Sequence, residues 1–174
     1  ISIVPFESFN IRLLRDKVSI KDVEDLKENE YNPGGSTPLY DAIGFGISSI
    51  RKEVTDNDSV LVTIITDGEE NSSREYSGKA IAALIDELKM KGWLFTYIGA
   101  NQDAVRVAKA MNICNALNFE QDEEGTKEMF RRERKSRERF FEKTASFLGL
   151  GKAFAMEARK EMACEDSYFE DTDK

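Results

Sequence analysis

Two six-residue runs, VLVTII at 60–65 and WLFTYI at 93–98, constrain this chain more than any other feature. Both are nearly unbroken β-branched and aromatic stretches, with none of the alternation expected of a strand that has one wet face. Each is expected to be a strand buried on both faces, as in a parallel sheet. Helical patterns lie around them. Thr37-Pro38 opens one to about Val54, with Leu39, Ile43, Ile47 and Ile50 on one side. Ser77 to Lys91 carries an apolar stripe of Ile81, Leu84, Ile85 and Leu88, and Gly92 ends it. A third helix is expected at 102–112, with Asn101 and Asp103 as caps, then a strand-like ALNF at 116–119. From 37 to 119 the order is therefore helix, strand, helix, strand, helix, strand, the pattern of βαβ units.

The flanks read differently. Residues 1–6 and 10–14 are expected to be antiparallel strands joined by a tight turn, and SIKDVEDL from Ser19 a short helical turn. Asn32-Pro33-Gly34-Gly35 marks a loop. Residues 122–148 read as a long charged helix with Phe140 and Phe141 as core groups. A further helix follows from Gly149, then the acidic tail EDSYFEDTD. The chain opens on ISIVPF without a lead-in, so residues upstream of Ile1 are expected.

Composition removes several functions. With no histidine, Ser-His-Asp and Cys-His catalysis and the commonest transition-metal ligand are excluded. Cys114 and Cys164, the two cysteines, form no zinc-type pair and no disulfide framework, which suits a reducing, cytoplasmic compartment. A net charge of −8 argues against nucleic acid as partner. No apolar run is long enough to span a membrane. The Arg- and Lys-rich run at 129–141 reads as a solvated helix face with paired acids and bases.

In open α/β sheets, ligands gather at the carboxyl ends of the strands. Asp67, just after the strand at 60–65, stands there. It either starts an Asp-Gly turn or presents a carboxylate to a ligand. Thr37 has the same two readings, helix cap or ligand. Glu69 and Glu70 read as a solvated turn beside Asp67. A hydroxyl at a helix start paired with a carboxylate at a strand end suits a hard cation such as Mg²⁺.

GGSTPLYDAI followed by VTIITDGEENSS resembles the second and third pieces of the metal-ion-dependent adhesion site of von Willebrand factor A domains, and is most similar to bacterial intracellular-type members. EYNPGGSTPLYDAI, the Trp-containing strand and GANQDA fall in family order over roughly residues 1–120. The resemblance implies a Rossmann-like α/β fold. Its central sheet would be mostly parallel, with helices on both faces and one antiparallel edge strand. It would occupy 1–148, with 149–174 as a helical extension and acidic tail. It implies Thr37 and Asp67 as ligands of Mg²⁺ or Mn²⁺, with Ser36 and Gly68 as loop neighbours. The family's Asp-x-Ser-x-Ser piece is absent from 1–36, and with its strand it is expected upstream of Ile1.

The implied function is non-catalytic: a protein-binding module whose partner completes the ion's coordination with a carboxylate. Two alternatives stand beside it. One is a scaffold with a degenerate metal site, making contacts through its C-terminal helices. The other is a Mg²⁺-dependent hydrolase or phosphoryl-transfer domain using Asp67, against which count the absent phosphate loop and the absent histidine.

Overall fold

The computed structural model describes residues 1–8, 10–32, 34–100, 103–147 and 149–170 of a mixed α/β chain. Pro33, Asn101, the last residue of the expected helix 122–148 and the last four residues of the acidic tail lie outside the described residues. The chain divides into two compact units. The first holds Ile1–Val54 and Glu69–Ile81, the second Thr55–Gly68 and Ala82–Lys174.

The second unit is built on three parallel strands in the order β3 (Leu61–Thr66), β4 (Leu94–Ala100), β5 (Asn115–Phe119). Leu61 lies opposite Leu94, and Thr96 opposite Asn115. Helix α2 (Gly78–Lys89) connects β3 to β4, and α3 (Ala104–Ala110) connects β4 to β5. These are the elements predicted by the unbroken β-branched and aromatic runs and the helical apolar stripes between them. Gly92, at φ +78°, ends the α2 turn, and a Cβ there would sit 2.8 Å from that of Arg159.

β4 has a strand on each side and is buried along its whole length. β3 differs from expectation. Among the described residues it pairs only with β4; Leu61, Val62 and Thr63 are half-buried, and Ile65 is 42% exposed. Its β-branched run specifies strand conformation, but burial on both faces also needs neighbours, and at an edge position one set is missing.

Helix α4 (Glu123–Ala145) turns Met129, Glu133, Ser136, Phe140 and Thr144 inward. Steps of three and four residues keep one face of a helix together. Phe140 is thus core, whereas Phe141, about 100° round the helix, is 51% exposed; the expectation that both are core holds for one only. Leu94, Ile98, Leu117, Met129 and Phe140 form one cluster with Tyr168 and Phe169 from beyond helix α5 (Lys152–Cys164). Each such side chain contributes roughly 1.5–3 kcal/mol by leaving water. α5 buries Ala155, Arg159 and Ala163, and the Arg159 guanidinium donates to the carbonyls of Asp56 and Asn57. Asp122 and Asp103 cap α4 and α3, the latter as expected.

The first unit contains a separate antiparallel pair rather than an edge strand of the parallel sheet. Its strands β1 (Phe6–Glu7) and β2 (Asn10–Ile11) are shorter than the 1–6 and 10–14 expected. Pro5 has no N–H to give a ladder, and Ser8 bends the chain at φ +40°. Only an isolated bridge, Ile3 to Arg15, continues the pairing. No helix forms over the SIKDVEDL segment. A single turn closes, Asp22 N–H donating to the Ser19 carbonyl at 2.9 Å, because so short a polar stretch cannot offset the cost of helix nucleation. The Arg15 guanidinium holds Glu30 at 2.9 and 3.0 Å and lowers its carboxyl to about 2. Helix α1 (Leu39–Ile50) buries Leu39, Ala42, Ile43 and Ile47, and stops short of the expected Val54. Among the described residues no helix is long and apolar enough to cross a membrane.

Candidate functional site

Thr37 belongs to the first unit, where the chain around it is held closely. Gly34 and Gly35, at φ +148° and +75°, take the approach to α1 through backbone that other residues rarely adopt. A Cβ on Gly35 would fall 2.0 Å from Ser8 Oγ. Ser8 grips the next residue twice: its N–H donates to the Ser36 carbonyl at 2.7 Å, and its Oγ accepts the Ser36 N–H at 3.1 Å. Asn71 does the same for Thr37. Its Oδ1 accepts the Thr37 N–H at 2.8 Å, while its own N–H donates to the Thr37 carbonyl at 3.1 Å.

The first amides of a helix need acceptors, and of the two readings of Thr37 the capping one is not met: its hydroxyl accepts none of them. The loop at 69–77 supplies them instead. Tyr40 N–H donates to Glu70 Oε2 at 2.9 Å, and Asp41 N–H to Ser73 Oγ at 3.1 Å. Glu70 is therefore not the solvated turn residue that its sequence position suggests. Its other oxygen accepts the Ser72 and Ser73 amides at 2.8 and 2.7 Å. Burial works to raise its carboxyl, but the Ser73 hydroxyl and the three amides outweigh that and hold it below the ordinary range.

Asp41 answers from the helix. Its carboxylate accepts the N–H groups of Arg74, Glu75 and Tyr76 at 2.7, 3.0 and 2.8 Å. Again burial raises and the amides lower, with lowering the net result. Gly44 lets the Tyr76 ring lie on α1, for a Cβ there would come within 2.4 Å of it. Two carboxylates and an amide side chain thus staple the loop to the helix start, and the Thr37 hydroxyl is not one of the groups spent on capping.

Asp67 belongs to the second unit. It is exposed at the carboxyl end of β3, and its Oδ2 accepts from Gln121 Nε2 at 3.2 Å. The turn after it is closed by buried Thr66, whose hydroxyl donates to the Gly68 carbonyl and accepts the Gly68 N–H. Beyond β5, an open depression of about 540 Å³ is lined by Glu120, Asp122, Glu124, Glu128 and Arg132 among others. So many carboxylates oppose a phosphate or nucleotide there.

Hydroxyl and carboxylate oxygens are the right donors for a hard cation, which takes about six. Thr37 and Asp67 fit such an ion in kind and supply two. Among the described residues no group of three or more Asp, Glu, Cys or His side chains gathers as an ion-holding cluster. Cys114 and Cys164 are both free thiols at the surface. Reading the sequence alone singled out Thr37 and Asp67 and missed Ser8, Asp41, Glu70, Asn71 and Ser73. An acidic residue in the first turn of a helix and the cluster ENSS after a strand end were the available signals. No family model, curated protein or solved structure matches this chain.

Proposed function

We propose that this chain is a non-catalytic protein-binding module of the von Willebrand A type, with a Rossmann-like sheet and a cytoplasmic setting. The residues assigned to ion binding are Thr37 and Asp67. The observation that carries this reading is the treatment of Thr37: both sides of its backbone are pinned, while Glu70 and Ser73 relieve its hydroxyl of capping. A group held rigid without a structural task of its own suits a ligand.

In this reading the Thr37 hydroxyl and the Asp67 carboxylate hold Mg²⁺ or Mn²⁺, with water and a partner's carboxylate among the other ligands. When bound, the ion supplies positive charge for that carboxylate. Everything else is the work of the chain's own residues. Asp41, Glu70 and Asn71 fix the loop and helix start, and Thr66 fixes the turn carrying Asp67.

Titrating the complete protein with Mn²⁺, by calorimetry or by the relaxation of water protons, tests the reading. Asp67→Ala is expected to reduce Mn²⁺ affinity at least tenfold and Thr37→Ala severalfold, both with an unchanged melting temperature. Equal Mn²⁺ affinity in wild type and both variants would refute it. That result would favour a scaffold reading, which has its own support in the exposed Phe130, Phe141 and Phe154 of α4 and α5.

A further inference from the structure

The segment Glu165–Glu170 follows α5 without forming a strand or helix, yet it carries two buried aromatic side chains. Tyr168 and Phe169 meet edge-to-face, centroids 4.8 Å apart, and enter the cluster made by Leu94, Ile98 and Leu117 of the sheet with Met129 and Phe140 of α4. Their backbone is read by side chains. Asn115, on β5 and itself buried, accepts the Tyr168 N–H at 2.9 Å and donates to the Glu165 carbonyl at 3.0 Å. Arg132 of α4 donates to the Phe169 carbonyl at 3.0 Å, and Arg139 to those of Tyr168 and Glu170 at 3.1 and 2.7 Å.

Aromatic anchors in an apolar trough, with backbone groups caught by side chains of a rigid wall, are how an extended peptide is recognised. Cationic side chains meet the segment as well: Arg132 and Arg139 reach it from α4, Lys143 lies 3.8 Å from Glu165, and the segment brings Glu165, Asp166 and Glu170.

The fit has a flaw that a permanent core would not be expected to keep. The Tyr168 hydroxyl and Glu133 face each other in poor hydrogen-bond geometry, and Arg132 Nε is buried without a partner among the described residues. Arg137 at 3.4 Å is the charged partner of Glu133. Undocking the segment returns all three groups to water, which lowers the cost of opening.

We propose that the β5–α4 trough is a peptide-binding groove for an acidic partner peptide carrying two adjacent aromatic residues, and that Glu165–Glu170 is its resident competitor. This does not depend on the ion-binding reading. Tethered in cis, the resident segment acts at an effective concentration in the millimolar range. A partner must therefore outbid it or wait for it to open.

The test uses the full chain and a fluorescently labelled peptide, EDSYFED. A Tyr168→Ala/Phe169→Ala chain removes the resident anchors and is expected to bind the peptide saturably, at least tenfold tighter than wild type. Adding Arg139→Ala should weaken that binding, as should replacing both aromatics of the peptide. A folded double variant with no saturable binding overturns the proposal. A wild-type dimer that the double variant cannot form also overturns it, because the groove would then serve exchange between copies. Should the double variant fail to fold, hydrogen exchange in wild type decides. Exchange of the Tyr168 amide well before those of β4 supports a displaceable ligand, and exchange only with global unfolding overturns it.

Discussion

The two units of this chain are held by opposite kinds of chemistry. In the second, order comes from apolar area: β4 is sealed between two strands, and the cluster around Ile98 and Phe140 is non-directional. In the first, regular structure among the described residues is sparse, with strands of two residues, helix α1 and the first turn of α2. Its order comes from carboxylates aimed at amides, Asp41 to the 74–76 loop and Glu70 to both its own loop and the start of α1. Apolar area tolerates changes of shape that keep volume, whereas a carboxylate accepting three amides tolerates almost none. The first unit should therefore respond to chemistry and pH, and the second to volume.

The largest expected effect tests the volume side. Phe95 of β4 is buried and stacks near Trp93 at 6.4 Å. Phe95→Ala is expected to cost about 3–5 kcal/mol in denaturant unfolding, and Phe95→Leu markedly less. Trp93, the single tryptophan, reports the transition by fluorescence. Equal losses from the two substitutions would show that ring geometry, rather than volume, sets stability there.

Next in size is the directional side. Asp41→Ala orphans three backbone amides and is expected to cost about 1–3 kcal/mol. The isosteric Asp41→Asn should recover only part of the loss, since an amide cannot accept on both sides. Faster exchange of the Arg74, Glu75 and Tyr76 amides is the specific signature. If Asn restored full stability, charge and acceptor count would not be what fixes the loop.

This division also explains what could be read in the sequence. Hydrophobic patterning exposes elements whose order is apolar, so α2, β4, α3 and β5 were legible with ends moved by at most two residues. Burial is a property of neighbours, which is why VLVTII and WLFTYI read alike while β3 and β4 differ. Contacts such as Glu70 to Tyr40 or Asn71 to Thr37 join residues more than 25 positions apart and leave no local pattern. The candidate pair Thr37 and Asp67 was visible because a helix start and a strand end announce themselves. The residues that brace Thr37 were not. Nor was the role of Tyr168 and Phe169, whose surroundings in sequence read as an acidic tail.

The smallest expected effect separates the units by the sign of their pH dependence. Asp41 and Glu70 are held below their ordinary values, and Glu30, paired with Arg15, at about 2. Each contributes stability that is present above its ordinary value and lost as pH falls from there through its lowered one, so the first unit weakens progressively below about pH 4.5. Glu133 behaves the other way. Burial raises its carboxyl above 4.5, partly opposed by Arg137, so the neutral form is favoured in the fold, and stability declines as pH climbs above that value. Glu133→Gln, which cannot ionise, should remove the decline and leave the acid limb unchanged, a difference of about 1 kcal/mol or less at neutral pH. Unfolding followed at Trp93 between pH 2 and pH 8, beside exchange of the Tyr76 amide, checks both signs in one series. If Glu133→Gln lowered stability across that whole range, its pairing with Arg137 would outweigh its burial. The second unit would then share the electrostatic logic of the first.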